Sequence, residues 1–272
     1  MTTATLQDIG LEPVSGAVGA WVHGVELGGS SVPGTVDRLQ RALHEHGVLF
    51  FEFDHVISAA EFHSFGEMFG ELEDGYRLSA IEDRPASVGD AVMDSDRVPM
   101  KDFNTNRWHS DGTLFDCPPQ AAMLTAVEVP PVGGDTMWAS MVAAFEDLSS
   151  PIQRLLEQVE VLHSAKRLPW LKSPATAVHP AVARDPITGQ KFLFVNSNYS
   201  ERIIGMSDRE SETLLQMLFE HINTPEFHVR LRWRPGIIAV WEERVTQHRG
   251  VADFKGSRKM RRLTFTGDRP AA

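Results

Sequence analysis

The chain has 272 residues, 42% hydrophobic and 23% charged, enough to bury the core of one large domain. With 26 basic against 37 acidic residues the net charge is -11, which argues against a general role in binding nucleic acid or an anionic membrane. Cys117 is the only cysteine, so an intrachain disulfide and a cysteine-built zinc site are excluded, and the residue reads as a small apolar filler. The start of the chain lacks a secretory pattern and no run of eighteen apolar residues occurs, so a cytoplasmic protein without nucleic-acid or membrane partners is expected.

In chain order, residues 11–27 hold short apolar runs broken by glycine, Val18 to Val22 and Val25 to Leu27, which read as strands with tight turns. Helical spacing over 36–46 ends at Gly47, and 48–53 follows as a buried, aromatic-rich strand. Ser58-Ala59-Ala60-Glu61 is a capping box that opens a helix to about Phe69-Gly70. Between 71 and 106 the pattern is lost around one apolar patch, Ala91-Val92-Met93. So long an irregular segment, directly before the motif discussed below, is expected to be a loop over the site.

Beyond it, 120–129 and 137–139 read as strands joined by a Gly133-Gly134 turn, and 141–161 as helix, with Pro151 able to start a second one. Strands at 178–180 and 192–195 flank a turn at 185–189, and a second capping box at Ser207 opens a helix through Phe219. The chain closes with strands at 227–233, 237–241 and 262–266. Many short strands, with helices that do not alternate strictly with them, predict a mainly β single domain spanning 1–272: a double-sheet jelly roll with helices packed outside.

The chemistry centres on Trp108-His109-Ser110-Asp111. In an extended strand His109 and Asp111 share a face, which supplies two of the three ligands of a 2-His-1-carboxylate iron(II) site. Alone the pattern is weak: eleven His and thirty-seven acidic residues give about 1.5 His-x-Asp/Glu matches by chance. A third ligand must come from another strand, and His248 follows the buried run at 237–241. Ten positions further on stands Arg258, then Arg261 and Arg262. A metal-bound dicarboxylate needs a cation at its far end, and the guanidinium fork makes two parallel hydrogen bonds to a carboxylate.

Those blocks, together with Gly133-Gly134-Asp135-Thr136, His179-Pro180, Phe194-Val195-Asn196 and Gly267-Asp268, resemble the Fe(II)/2-oxoglutarate dioxygenases of the taurine and phenoxyacetate-herbicide dioxygenase family, in order and nearly in spacing. The resemblance implies a double-stranded β-helix and the cofactors Fe(II), 2-oxoglutarate as co-substrate, and O2. It makes His109, Asp111 and His248 the iron ligands and places Thr136 and Arg258 on the 2-oxoglutarate carboxylate. Arg262 matches a position that binds the prime substrate's anionic group in some members. Arg258 and Arg262, four apart on a strand, would reach one cavity, while Arg261 points away. The implied reaction hydroxylates a small organic anion (a sulfonate, alkyl sulfate or aryloxyalkanoate) with release of succinate and CO2. The protein is expected to be a homo-oligomer.

The departures are specific. Taurine-specific members read substrate with a His and a Tyr after the helix-ending Phe-Gly; here the His is absent and Tyr76 remains, which argues against taurine itself. The family's Asn before the first His ligand is Thr105 here, flanked by Asn104 and Asn106, so Tyr76, Asn104 and Thr105 stand as expected substrate contacts. The stretch 163–179 is shorter than in members with a long lid. Trp-Asp-Asn before the last His is Trp241-Glu242-Glu243. A jelly-roll metal-binding protein without turnover is the alternative reading, disfavoured by intact ligands and an intact Arg258. A metal-dependent hydrolase would leave Thr136 and Arg258 without purpose.

Overall fold

Strands with alternating apolar residues need a covering layer on each apolar face, and packed cores among the sheets and helices meet that need in this protein. The computed structural model describes residues 9–28, 34–73, 90–94, 106–169 and 171–272. The first half runs β1 (Gly10–Pro13), β2 (Ala20–His23), α1 (Thr35–His46), β3 (Val48–Glu52), α2 (Ala59–Gly66), β4 (Asp90–Asp94), β5 (Ala121–Glu128) and β6 (Thr136–Ser140). Then follow α3 (Met141–Glu146), α4 (Ser150–Leu156), β7 (Glu160–Ser164), β8 (Thr176–Pro180), β9 (Val182–Arg184), β10 (Lys191–Leu193) and β11 (Ser200–Ile203). The chain closes with α5 (Asp208–His221), β12 (His228–Leu231), β13 (Ile237–Glu242), β14 (Thr246–Gly250) and β15 (Ser257–Thr264).

The large sheet has the order β1-β2-β3-β13-β5-β15-β4, and a smaller one has the order β12-β6-β14. Alternation sorts the large sheet's two faces. Leu49, Phe51, Ile238, Val240, Met123 and Leu263 pack outward against Leu39 and Leu43 of α1 and Phe62 and Phe65 of α2. Phe50, Ala239, Trp241 and Met260 pack inward against Trp138, Val229 and Leu231 of the small sheet. Trp138 and Trp241 are fully buried and meet edge to face with centroids 5.6 Å apart, a geometry that contributes about 1 kcal/mol beyond area burial. A third core packs α3, α4 and α5 around β7, β9 and β10. This is the predicted double-stranded β-helix with flanking helices.

Both capping boxes form, at Ser58 with Glu61 and at Ser207 with Glu210, and Gly47 closes α1 at φ +70°. Several elements differ from expectation. Residues 25–27 form no strand, and α2 ends at Gly66 before a turn. The apolar patch at 91–93 is β4, which pairs with β15; an edge strand needs only an open neighbour, and that neighbour lies far away in sequence. Val161 belongs to β7 rather than to a helix, held by pairing with β8 and β11. The turn at 185–189 joins β9 to β10, not β8 to β10. Strand β15 begins at Ser257, several residues before the predicted start. Cys117 is exposed and fills no core.

A buried hydrogen bond fastens α1 to the β9–β10 turn. His44 Nδ1 lies 2.5 Å from Asp185 Oδ2, and Asp185 Oδ1 accepts the Ile187 and Thr188 backbone N–H groups. Burial alone would raise the Asp185 carboxyl, but the bonds from His44 and Thr188 outweigh it and hold it at about 2. A folded value below the unfolded one stabilises fully above about pH 4 and loses that stabilisation as pH falls through about 2. Asp185→Asn is therefore expected to destabilise the protein by about 2 kcal/mol at pH 7 in urea unfolding, with the difference from wild type vanishing near pH 2. Equal pH dependence of the two proteins would contradict this role.

Candidate metal centre

The centre is built from one backbone pairing. His109 N–H donates to His248 O at 3.1 Å, and His248 N–H donates back to His109 O at 2.8 Å. Two residues that exchange both bonds across an antiparallel pair project their side chains on the same face. The imidazoles accordingly stand together with centroids 4.3 Å apart. Register on the far side of β14 is set by β6, where His248 opposes Trp138. The β13–β14 connection that delivers His248 is shaped by Glu242, whose buried carboxylate accepts the Arg244 and Val245 N–H groups at 2.8 Å and the Arg244 side chain.

Asp111 does not extend a strand, contrary to expectation: the pairing stops at His109 and the chain turns over residues 111–114. The turn, rather than strand alternation, carries the carboxylate back to the imidazoles. Ser110 Oγ donates to Thr246 O at 2.9 Å, and the Asp111 N–H donates to Glu243 Oε2 at 3.0 Å. Thr113 is gripped in turn by His163, His179 and Asn196, so both histidines are engaged in structural hydrogen bonds. Asp111 Oδ1 then lies 3.6 Å from His109 Nε2, and Oδ2 lies 3.9 Å from His248 Nε2. One donor atom from each of His109, Asp111 and His248 falls within 4.8 Å of the others, and all three residues are buried.

The electrostatics suit a cation. His109 Nδ1 donates to Arg107 O at 2.7 Å, so its lone pair sits on Nε2, facing Asp111. Burial lowers the His109 pKa, against the pull of Asp111, and pushes His248 well down, helped by His109 beside it. Two neutral imidazoles and one carboxylate can each offer a lone pair to a metal without first losing a proton. Three converging donors on one side fit the iron(II) triad that leaves further positions open.

Thr136 and Arg258 meet at a second point. Arg258 is 6% exposed, and burial lowers its pKa to about 10, so it stays cationic at neutral pH. Its Nε donates to Gly134 O at 2.8 Å and its Nη2 to Thr136 Oγ1 at 3.2 Å. Trp233 Nε1 also donates to Thr136 Oγ1, at 2.8 Å. With both lone pairs of the hydroxyl occupied, its hydrogen is directed to a third group, as a carboxylate ligand requires. Gly133 and Gly134 adopt φ +79° and +73°, and a Cβ on Gly133 would lie 2.6 Å from Asp253 O. That close approach brings the block against the loop that leads into β15 and Arg258.

Arg262 lies on the same strand face as Arg258, with its guanidinium carbon 5.3 Å from the Trp241 ring. It pairs with Asp111 Oδ2 and with Glu243 Oε1, the latter at 3.3 Å. Arg261 points the other way, as alternation predicts, and donates to Ile57 O. Tyr76, Asn104 and Thr105 lie outside the described residues, as does most of the loop at 71–106. Sequence reasoning missed Trp233, the Gly134 carbonyl and the Arg107 carbonyl, because their contacts depend on strand register. It also assigned nothing to Glu243, although the departure from Trp-Asp-Asn marked that position.

A jelly roll that converges two histidines, a carboxylate and a buried Thr–Arg pair defines a non-haem iron oxygenase class. The profile of the taurine catabolism dioxygenase TauD, TfdA family matches residues 10–264, so the chain belongs to that family and is a 2-oxoglutarate-dependent dioxygenase using Fe(II) and O2. It is 31% identical to an alkylsulfatase of Acinetobacter baylyi, over 96% of this chain and 86% of the relative. It is 29% identical to an alpha-ketoglutarate-dependent sulfate ester dioxygenase of Pseudomonas putida, over 97% and 91% of the two chains. A crystal structure described as a putative alpha-ketoglutarate-dependent taurine dioxygenase from Burkholderia xenovorans superposes with a TM-score of 0.82 at 30% identity, covering 97% of this chain and 91% of that one. Among the described residues no helix is long and apolar enough to cross a membrane.

The glycine approach is testable on its own. Gly133→Ala places a side chain in left-handed backbone and against a main-chain oxygen, so a destabilisation of about 2–3 kcal/mol is expected in thermal melts. An unchanged Tm would show that the approach is not needed.

Proposed function

We propose that His109, Asp111 and His248 hold the iron through Nε2, a carboxylate oxygen and Nε2. In the same reading Thr136 and Arg258 seat the far carboxylate of 2-oxoglutarate, and Arg262 reads the anionic group of the prime substrate. The observation that carries this assignment is the convergence of three buried donors within 4.8 Å, with the Thr136–Arg258 pair on the same inner face of the barrel. Bound iron supplies the activation of O2 that couples decarboxylation of 2-oxoglutarate to oxidation of a substrate C–H bond. The chain's own residues bind and orient. Arg258, charged at neutral pH, makes a parallel pair with a carboxylate, and Thr136 adds its remaining hydrogen. Arg262, with a side chain 24% exposed and seated over Trp241, is a cation still accessible beside the triad.

The substrate class we infer is a small organic anion, with sulfate esters foremost and sulfonates and aryloxyalkanoates next. The named relatives support the sulfate esters. Hydroxylation of the carbon bearing a sulfate ester oxygen gives a hemiacetal-type product that breaks its C–O bond, releasing sulfate and leaving a carbonyl. We further propose that Tyr76, Asn104 and Thr105 contact substrate, and that the protein is a homo-oligomer of the cytoplasm with no nucleic-acid or membrane partner.

With Fe(II), ascorbate and a panel of anions, alkyl sulfates are expected to stimulate succinate formation, and His109→Ala or His248→Ala to abolish it. Absence of substrate-stimulated succinate from iron-loaded wild type across the panel would overturn the substrate class. Arg258→Lys is expected to raise KM for 2-oxoglutarate at least tenfold, because an ammonium cannot make the paired hydrogen bonds. Arg262→Ala is expected to raise KM for the prime substrate while uncoupled 2-oxoglutarate turnover persists; equal loss of both would place Arg262 with the co-substrate or the iron ligands instead.

A further inference from the structure

Glu243 stands at the start of the β13–β14 connection, 1% exposed, where the family pattern described above has an asparagine. Its neighbour Glu242 satisfies the turn, so the connection does not require Glu243. Its carboxylate points instead into the iron-binding end of the barrel. Oε2 accepts the backbone N–H of Asp111 at 3.0 Å, and Oε1 accepts Trp241 Nε1 at 2.9 Å and Arg262 Nη2 at 3.3 Å. Oε2 also lies 3.7 Å from His248 Nδ1. That nitrogen is buried without a hydrogen-bond partner, whereas the corresponding nitrogen of His109 donates to Arg107 O.

This asymmetry carries the inference. A histidine that binds metal through one nitrogen almost always donates the other N–H to a carboxylate, carbonyl or water, which fixes the tautomer and the ring plane. For His109 the main chain fills that role. For His248, Glu243 is the carboxylate in position. We propose that Glu243 is a positioning residue of the iron centre, whose single carboxylate orients the Asp111 backbone, the His248 ring and the Arg262 guanidinium together. The proposal rests on the reading of His109, Asp111 and His248 as the metal ligands. A carboxylate is required because both oxygens act as acceptors; an amide at this place would turn an NH2 group toward one of those donors. Through Arg262, whose bond goes to Asp111 Oδ2, Glu243 also holds Asp111 with Oδ1 as the oxygen offered to a metal.

The test measures metal binding rather than turnover. Metal-stripped full-length protein is titrated with Co(II) under anaerobic conditions without 2-oxoglutarate, following the visible ligand-field bands. Glu243→Gln is expected to weaken the Co(II) dissociation constant 10- to 100-fold and to alter the bands, and Glu243→Ala at least as much. Wild-type affinity and bands in Glu243→Gln, with His109→Ala failing to bind, would overturn the proposal while leaving the ligand assignment standing. Wild-type Co(II) binding by His109→Ala would instead overturn the ligand assignment itself. A readout in the unsubstituted chain keeps the question decidable if the variants do not fold. In the Zn(II)-loaded protein the His248 Nδ1 proton is expected to be slowly exchanging and shifted downfield by a carboxylate partner, and a rapidly exchanging proton would overturn the proposal.

Discussion

The site depends on the two reciprocal main-chain hydrogen bonds between His109 and His248. Every other feature positions something relative to that pair. Strand β6 holds β14 from the other side, Trp138 and Trp241 wedge the two sheets apart at the spacing the rings require, and the turn after Ser110 returns Asp111 to the imidazoles. A slip of one residue in the pairing would send one imidazole to the opposite face. The register is protected by the hydrophobic sorting of β13 and β15, whose alternate residues belong to two different cores.

The second constraint is charge in a buried place. Asp111 and Glu243 are both nearly inaccessible and lie close together, so burial and the charge of Asp111 work against a Glu243 carboxylate that the Asp111 and Trp241 N–H groups help to hold. Arg262 opposes this and bonds to both groups. Arg258 sits apart in its own pocket with Thr136, Trp233 and the Gly134 carbonyl. The protein thus keeps two cations on one face of β15 engaged with different partners.

Much of this was legible in the sequence because local chemistry specified it. The capping boxes at Ser58 and Ser207, the Gly47 stop and the apolar runs at 48–53 and 237–241 each carry their own physical signal, and each formed where expected. The motif blocks, through the family resemblance they carry, pointed to His109, Asp111 and His248 and to Thr136 with Arg258, and the fold brings the first three together and the last two into contact. What the sequence hid depends on long-range pairing. Strand β4 exists because β15 offers an edge, β7 lies under an overlapping helical pattern, and Asp111 reaches the site by a turn that no alternation rule describes. Glu243 was visible only as a departure from a pattern, and its meaning required the partners on each of its oxygens.

The central claim is that two imidazoles and one carboxylate oxygen from this chain bind the iron. X-ray absorption at the iron edge of the anaerobic Fe(II) protein, before and after adding 2-oxoglutarate, tests it most directly. The account predicts two imidazole scatterers in both states, with only the oxygen shell changing when 2-oxoglutarate is added. A single imidazole, a third one, or loss of an imidazole on adding 2-oxoglutarate would contradict it.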